Sequence, residues 1–450
     1  MKPFLTILLL LSWLPSPGQE IVAGLAGDNK QESFNVYLPD DYDAQRVYPV
    51  LFIFDPLGNG RAAIRHFTQV ADTFGLILAA SNETANGRHS ENFDLAANMI
   101  NAVLDQYPVL QNRMYLTGFS GGSRLASAIA VLSGQFEGVI GCGSGFSPNA
   151  SEQPRDEAFS YIGIVGDQDM NWAEMHQDYN RLKAWRMDNS LITFSGPHQW
   201  PEASEIRLAF SWLEFRAQQK GLPSLWSTLE DALFEQELEW LKANEIHPNV
   251  HLQKRVHRLR YMYPEQFKTD VWTQTTGLEI LDHEKLNSSR KVQEFLIATE
   301  AEQIEQDNDR LLQFFLQPKA QYKSMSRWIN ERKLQLGLAG TQNYSLMYRR
   351  LLRNLYANIF EQGIGYGTVA EADLERAFYS NELLLEIRPS KRIQLLQIEL
   401  IARYQRPKKA VNKLEEYLKD GSLKSDDVSG SNVADLLGQR SDFRSVMQAY

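Results

Sequence analysis

Cysteine is all but missing from this chain: its 450 residues hold one, Cys142. A lone thiol forms no intramolecular disulfide and builds no cysteine-ligated zinc site. The simplest reading of Cys142 is a buried, inert side chain. Positive charge is also in short supply, with 46 Lys and Arg against 56 Asp and Glu and a formal net charge of -10. No global basic field therefore exists to hold a nucleic-acid backbone or an anionic bilayer. Beyond the amino terminus no apolar run approaches the roughly 20 residues that a spanning helix needs. With 43% hydrophobic and 23% charged residues, the composition excludes a wholly disordered or polytopic membrane chain. At this length two or three domains are expected.

The amino terminus reads as an address. Met1 and Lys2 precede an apolar run from Phe4 to Leu14, followed by Pro15, Ser16, Pro17 and Gly18. A charged start, a short apolar core and small residues at its exit make a signal peptide over 1–18, with cleavage before Gln19 or nearby. The expected location is secreted or periplasmic. No cysteine follows the run, so no lipid anchor forms at that point.

Two halves differ in pattern. From about Glu32 to Gln219, short Val-, Ile-, Leu- and Phe-rich runs alternate with amphipathic stretches, as in a doubly wound, mostly parallel sheet. The runs place strands at Phe34–Leu38, Val50–Phe54, Leu76–Ala80, Met114–Thr117, Gly138–Cys142, Tyr161–Val165 and Leu191–Phe194. Helices are expected at Ile64–Phe74, Phe93–Asp105, Gly122–Leu132, Trp172–Asn189 and Glu202–Gln219. Gly221 and Pro223 then interrupt the pattern, dividing residues 19–219 from an all-helical domain over 225–450. There, apolar stripes such as Val292, Phe295, Leu296, Leu311, Leu312 and Phe315 recur at helical spacing. Near the end, Ala377, Pro389, Ala410, Leu414 and Tyr417 fit either degenerate tetratricopeptide-like repeats or a generic bundle.

Chemistry concentrates at Gly118-Phe119-Ser120-Gly121-Gly122, placed directly after a strand and opening a helix. On such a turn a serine is exposed at the end of the sheet as a nucleophile, and flanking glycines avoid collisions with neighbouring backbone. Serine is a weak nucleophile at neutral pH, so a histidine base and an orienting acid must follow in the order Ser, Asp, His. The strand Tyr161–Val165 runs into Gly166-Asp167-Gln168-Asp169, and Leu191–Phe194 runs into Ser195-Gly196-Pro197-His198. Ser120, Asp169 and His198 all fall where catalytic groups gather, at the carboxyl ends of strands. Asp167 is the rival acid, but the residue directly after a strand-ending glycine is more often committed to the turn. Asn171 and Glu174 read as the capping box of the next helix, which frees Asp169. His66, His89 and His176 precede the acid or sit inside helices.

Residues 32 to 219 resemble an α/β-hydrolase of the group that holds feruloyl esterases and polyhydroxybutyrate-depolymerase-like enzymes. The likeness rests on the opening Phe34-Asn35-Val36-Tyr37-Leu38-Pro39, on Tyr48-Pro49-Val50-Leu51-Phe52-Ile53, on the tract around Ser120, and on Gly141-Cys142-Gly143-Ser144-Gly145-Phe146. In that family the strand after the opening hairpin usually ends in His-Gly, whose backbone donates to the oxyanion. Here the place is held by Asp55-Pro56-Leu57-Gly58. Proline has no N–H, so the second donor falls to Leu57 or Gly58 beside the N–H of Gly121, with Leu57 the leading choice. The resemblance implies an exported serine esterase with an acyl-enzyme route. Its substrate would be a small-molecule or glycan-linked ester, met without cofactor or metal, with Asn82–Glu91 and Ser147–Asp156 setting specificity. A serine peptidase and an inactive binding scaffold, the latter with a protein partner on the helical half, are the alternatives.

Overall fold

The computed structural model describes residues 21–450 except 88, 155–158, 225–228, 244–249, 265–282 and 366–368. The expected signal peptide over 1–18 lies outside the described residues. Eight strands form one sheet: β1 Val22–Ala26, β2 Glu32–Tyr37, β3 Tyr48–Phe54, β4 Ile77–Ser81, β5 Val109–Phe119, β6 Gly138–Cys142, β7 Ser160–Gly166 and β8 Asn189–Phe194. Their order is β1-β2-β4-β3-β5-β6-β7-β8. The first two pairings are antiparallel and every later one is parallel. Strands β3, β4, β6 and β7 are buried at every position. Helices cover both faces of a parallel sheet, so such strands carry continuous apolar runs rather than alternation. The strand order reverses beside β3, which opens a crevice at the carboxyl ends of β3 and β5.

Strand β1 has no counterpart in the sequence pattern. Val22 and Leu25 are exposed, and the Val-Ala-Gly-Leu-Ala stretch becomes a strand only through its edge pairing with β2. The expected helix Ile64–Phe74 is two, α1 Gly60–Arg65 and α2 Thr68–Phe74. Then come α3 His89–Gln106, α4 Gly121–Ser133, α5 Trp172–Ala184 and α6 Ala203–Gln219. Helix α5 stops before the expected Asn189, because Arg186 takes a positive φ of 60° and turns the chain into β8.

After Ser224 the described residues hold helices and no strand: α7 Glu230–Ala243, α8 Val250–Met262, α9 His283–Leu316, α10 Pro318–Leu338, α11 Gln342–Gly363, α12 Leu374–Ile387, α13 Lys391–Leu400, α14 Pro407–Lys419 and three short helices ending at Ala449. Helix α6 ends at Gln219 and the next described helix, α7, begins at Glu230. Packing does not break there. Leu233, Phe234, Leu238 and Leu241 of α7 and Leu259 and Met262 of α8 share one apolar core with Leu208, Phe210 and Leu213 of α6. Buried Arg113 of β5 donates to Pro223 O at 2.8 Å, anchoring the connection itself.

Further on, the helices build cores of their own. One joins Leu311, Phe314, Ile329, Leu355 and Leu384. Another holds Ala377, Ala410, Leu414 and Tyr417, with Pro389 in the turn between α12 and α13. The stripe on α9 divides: Leu296 and Leu311 are buried, whereas Val292, Phe295 and Leu312 are exposed. Ile297 of α9 reaches back to Val165, Trp172 and Met175 of the sheet half.

Candidate active site

Strand β5 ends at Phe119 and α4 begins at Gly121, leaving Ser120 alone at the turn with φ 53° and ψ -118°. This is sparsely populated backbone for a residue with a Cβ, held only where its surroundings over-determine it. The surroundings are glycine by necessity. A Cβ on Gly118 would lie 2.2 Å from Gly122 O, and one on Gly122 would lie 2.1 Å from Phe54 O. The Ser120 N–H donates to Cys142 O at 2.9 Å, which ties the turn to β6.

The other two residues chosen from the sequence converge on it. His198 Nε2 lies 3.0 Å from Ser120 Oγ, and His198 Nδ1 lies 2.9 and 2.8 Å from the two carboxylate oxygens of Asp169. Asp169 is 1% exposed, so its partners are protein groups rather than water. Besides the imidazole it accepts the N–H of Asn171 at 2.9 Å. The rival Asp167 is spent on the turn, where it accepts the Gly196 N–H at 3.1 Å. Burial pushes its carboxyl pKa up. Phe119 packs on the His198 ring at 4.5 Å between centroids. His66 instead stacks on Trp200, and His176 is buried against Trp172.

One expectation needs correction. Asn171 does stand at the start of α5, yet its side chain donates to Gly143 O at 2.8 Å and caps nothing. Glu174 pairs with Arg124 at 2.8 Å instead of reaching back. Asp169 is therefore not relieved by a capping box. Leu57 stands in the turn after β3. Its N–H, the expected oxyanion donor, is engaged by Asp55 Oδ1 at 2.9 Å, and the Gly58 N–H is engaged by Asp55 O at 3.2 Å. A turn-starting aspartate commonly takes the N–H two residues on, and Trp200 Nε1 holds the other carboxylate oxygen at 3.3 Å.

One residue near the nucleophile escaped sequence reasoning. The Asn86 N–H donates to Pro56 O at 2.9 Å, bringing its side chain over Gly121. A Cβ on Gly121 would lie 1.8 Å from Asn86 Oδ1 and 3.2 Å from Nδ2. Only its place within the expected specificity segment Asn82–Glu91 hinted at a role.

Ser120 opens into a cleft of about 1350 Å³. Asn82, Glu83 and Asn86 line one part of it, and Ser147, Pro148 and Gln153 another, so both expected specificity segments contribute. A third wall comes from the helical half through Asn308 of α9 and Asn354, Ala357, Asn358 and Glu361 of α11. Charge within the cleft is mixed. Arg124 and Arg181 face Glu174 and Asp178, and burial, with help from Glu174, raises the Asp178 carboxyl to about 6. Burial likewise pushes the Cys142 thiol up to about 12.

A mostly parallel sheet with a serine at a strained strand-to-helix turn, and a histidine and an aspartate at later strand ends, decides the architecture. Residues 21 to 219 have the α/β-hydrolase fold. No protein-family model matches the chain, and no curated protein matches it in sequence. Solved structures of similar fold include an S-formylglutathione hydrolase from Staphylococcus aureus, 15% identical over 44% of this chain and 99% of that one, with a TM-score of 0.38. The feruloyl esterase module from Clostridium thermocellum is 16% identical over 40% and 83%, with a TM-score of 0.34. A ferulic acid esterase from Anaeromyces mucronatus is 14% identical over 42% and 87%, with a TM-score of 0.33. Among the described residues no helix is long and apolar enough to cross a membrane.

Proposed function

We propose that this protein is an exported serine hydrolase that cleaves carboxylic esters. The observation that carries the reading is the unbroken series from Ser120 Oγ through the imidazole of His198 to the buried Asp169 carboxylate. In this scheme Ser120 Oγ attacks the ester carbonyl carbon while its proton passes to His198 Nε2. Asp169 accepts the Nδ1–H, holds the ring in that tautomer and stabilises the imidazolium. As the tetrahedral intermediate collapses, the bond to the alcohol oxygen breaks and His198 returns the proton to that oxygen. Water then repeats the sequence on the acyl-enzyme, with His198 as its base, releasing the acid and Ser120.

The oxyanion would be received by the N–H of Gly121, with the Asn86 amide beside it. The Leu57 N–H contributes only if the bond to Asp55 opens as substrate enters. A single missing donor costs about 2.7 to 4 kcal/mol of transition-state stabilisation. The substrate is read as an ester with a sizeable polar portion, small-molecule or glycan-linked, because the cleft of about 1350 Å³ exceeds the usual 300–1,000 Å³ of small-ligand sites and asparagine recurs along its walls. Export rests on the amino-terminal pattern of residues 1 to 18.

The Asp55 hold on Leu57 favours a second reading, an inactive hydrolase-fold scaffold. One experiment separates the two. The purified protein should take a fluorophosphonate label on Ser120 and hydrolyse nitrophenyl esters, and Ser120→Ala should do neither while keeping its circular dichroism spectrum. Absence of label and turnover in the wild type would leave the scaffold reading.

A further inference from the structure

The turn that carries Asp169 is held from two sides. From the sheet half, the Asp167 N–H donates to Phe194 O at 2.8 Å, the Gln168 N–H to Gly196 O at 2.9 Å and the Asp169 N–H to Gly166 O at 3.1 Å. Two carbonyls of the same turn are met by the helical half. Arg350 of α11 donates from Nη1 to Asp167 O at 2.6 Å, and Arg353, one turn of helix later, donates to Gln168 O. We infer that Arg350, fixed by Glu300, is a positioning residue that sets the acid turn and thereby the Asp169 contact to His198. The inference rests on the ester-hydrolase reading of this site.

Arg350 is itself held without slack. Its Nε donates to both carboxylate oxygens of Glu300 at 2.8 and 3.0 Å, and Nη2 donates to Oε2. Its guanidinium carbon lies 4.2 Å from the centre of the Trp172 ring, the first residue of α5 after the acid turn. Arg350 is 3% exposed and Glu300 is fully buried. Burying both charges costs several kcal/mol per ion, and apolar residues of similar size often stabilise a core as well or better. Apolar side chains would not donate to Asp167 O, and a planar guanidinium can grip a carboxylate and a carbonyl at fixed angles. Among the described residues, the hydrogen bonds of Ser120 and His198 come from the sheet half. The acid is thus the member through which the helices act on the chemistry, at a separation of 183 residues between Arg350 and Asp167.

The test compares wild type with Arg350→Met, Glu300→Gln and Arg353→Met in the full chain, each checked by circular dichroism and thermal unfolding. Displacements approaching 1 Å within a catalytic group cost up to about 100-fold in rate. We expect kcat on nitrophenyl acetate to fall about 10- to 100-fold in Arg350→Met, with KM within about twofold and partial recovery in Arg350→Lys. The downfield proton resonance of His198 Nδ1–H, which reports its bond to Asp169 without requiring turnover, should weaken or shift in Arg350→Met. A folded Arg350→Met with unchanged kcat and unchanged resonance overturns the inference. If Arg350→Met does not fold, Glu300→Gln, which weakens the anchor of Arg350, decides: an unshifted resonance and unchanged kcat in it overturn the inference, and a shift supports it. Wild type that neither labels nor turns over esters, yet loses the resonance in these variants, removes the hydrolase reading while leaving the positioning intact.

Discussion

Both carboxylate oxygens of Asp169 lie within 2.9 Å of His198 Nδ1, while Asp167, two residues away, spends its carboxylate on the Gly196 N–H. Two acids on one turn therefore face different tasks, and their amides should behave differently. Asp169→Asn offers the imidazole a group that cannot fix its tautomer, and kcat on nitrophenyl esters is expected to fall by about 10³- to 10⁴-fold. Asp167→Asn keeps an oxygen for Gly196, so its rate should stay within about tenfold of wild type. Equal losses in the two variants would reassign the acid.

The Asn86 side chain packs on Gly121, whose N–H is the proposed oxyanion donor. With its Nδ2–H rather than its Oδ1 turned to the developing oxyanion, Asn86 would donate in the transition state, and Asn86→Ala is expected to lower kcat by about 10²-fold with little change in KM. A rise in KM alone would make it a substrate contact instead.

The helical wall of the cleft should be felt by large substrates and ignored by small ones. Ala357→Trp places a bulky ring on that wall. Turnover of esters with extended polar alcohols should lose kcat/KM by tenfold or more, while nitrophenyl acetate keeps its rate to within about twofold. Equal effects on both would place productive binding elsewhere.

Asp178 links the site to pH. Its folded pKa of about 6 exceeds the unfolded value of 3.8, so between those values the native state binds more protons than the unfolded chain. Stability therefore falls as pH rises from 4 to 6 and is flat above. The effect is roughly 2 to 3 kcal/mol at most. Asp178→Asn should flatten this part of the pH dependence and unfold at higher denaturant than wild type at pH 7, measured by urea titration at pH 4.5, 6 and 7.5.

Much of the site was legible because its constraints are local. A serine at positive φ between glycines is a backbone requirement written over five residues, and strands buried on both faces must be apolar throughout. Strand ends then placed Asp169 and His198 by topology alone. Strand β1 was not legible, since its five residues depend on an edge partner for their conformation. Nor could sequence show that Asp55 takes the Leu57 N–H, that Asn171 and Glu174 turn to Gly143 and Arg124, or that Asn86 covers Gly121. Each of those polar groups had several partners within reach of its chain segment, and only packing chose among them. Distance along the chain hid the most: Arg350, Asn354 and Ala357 repeat with helical spacing like any surface stripe, and α11 became a wall of the cleft and a hydrogen-bond partner of the turn that carries Asp169 only once the helices had folded back on the sheet half.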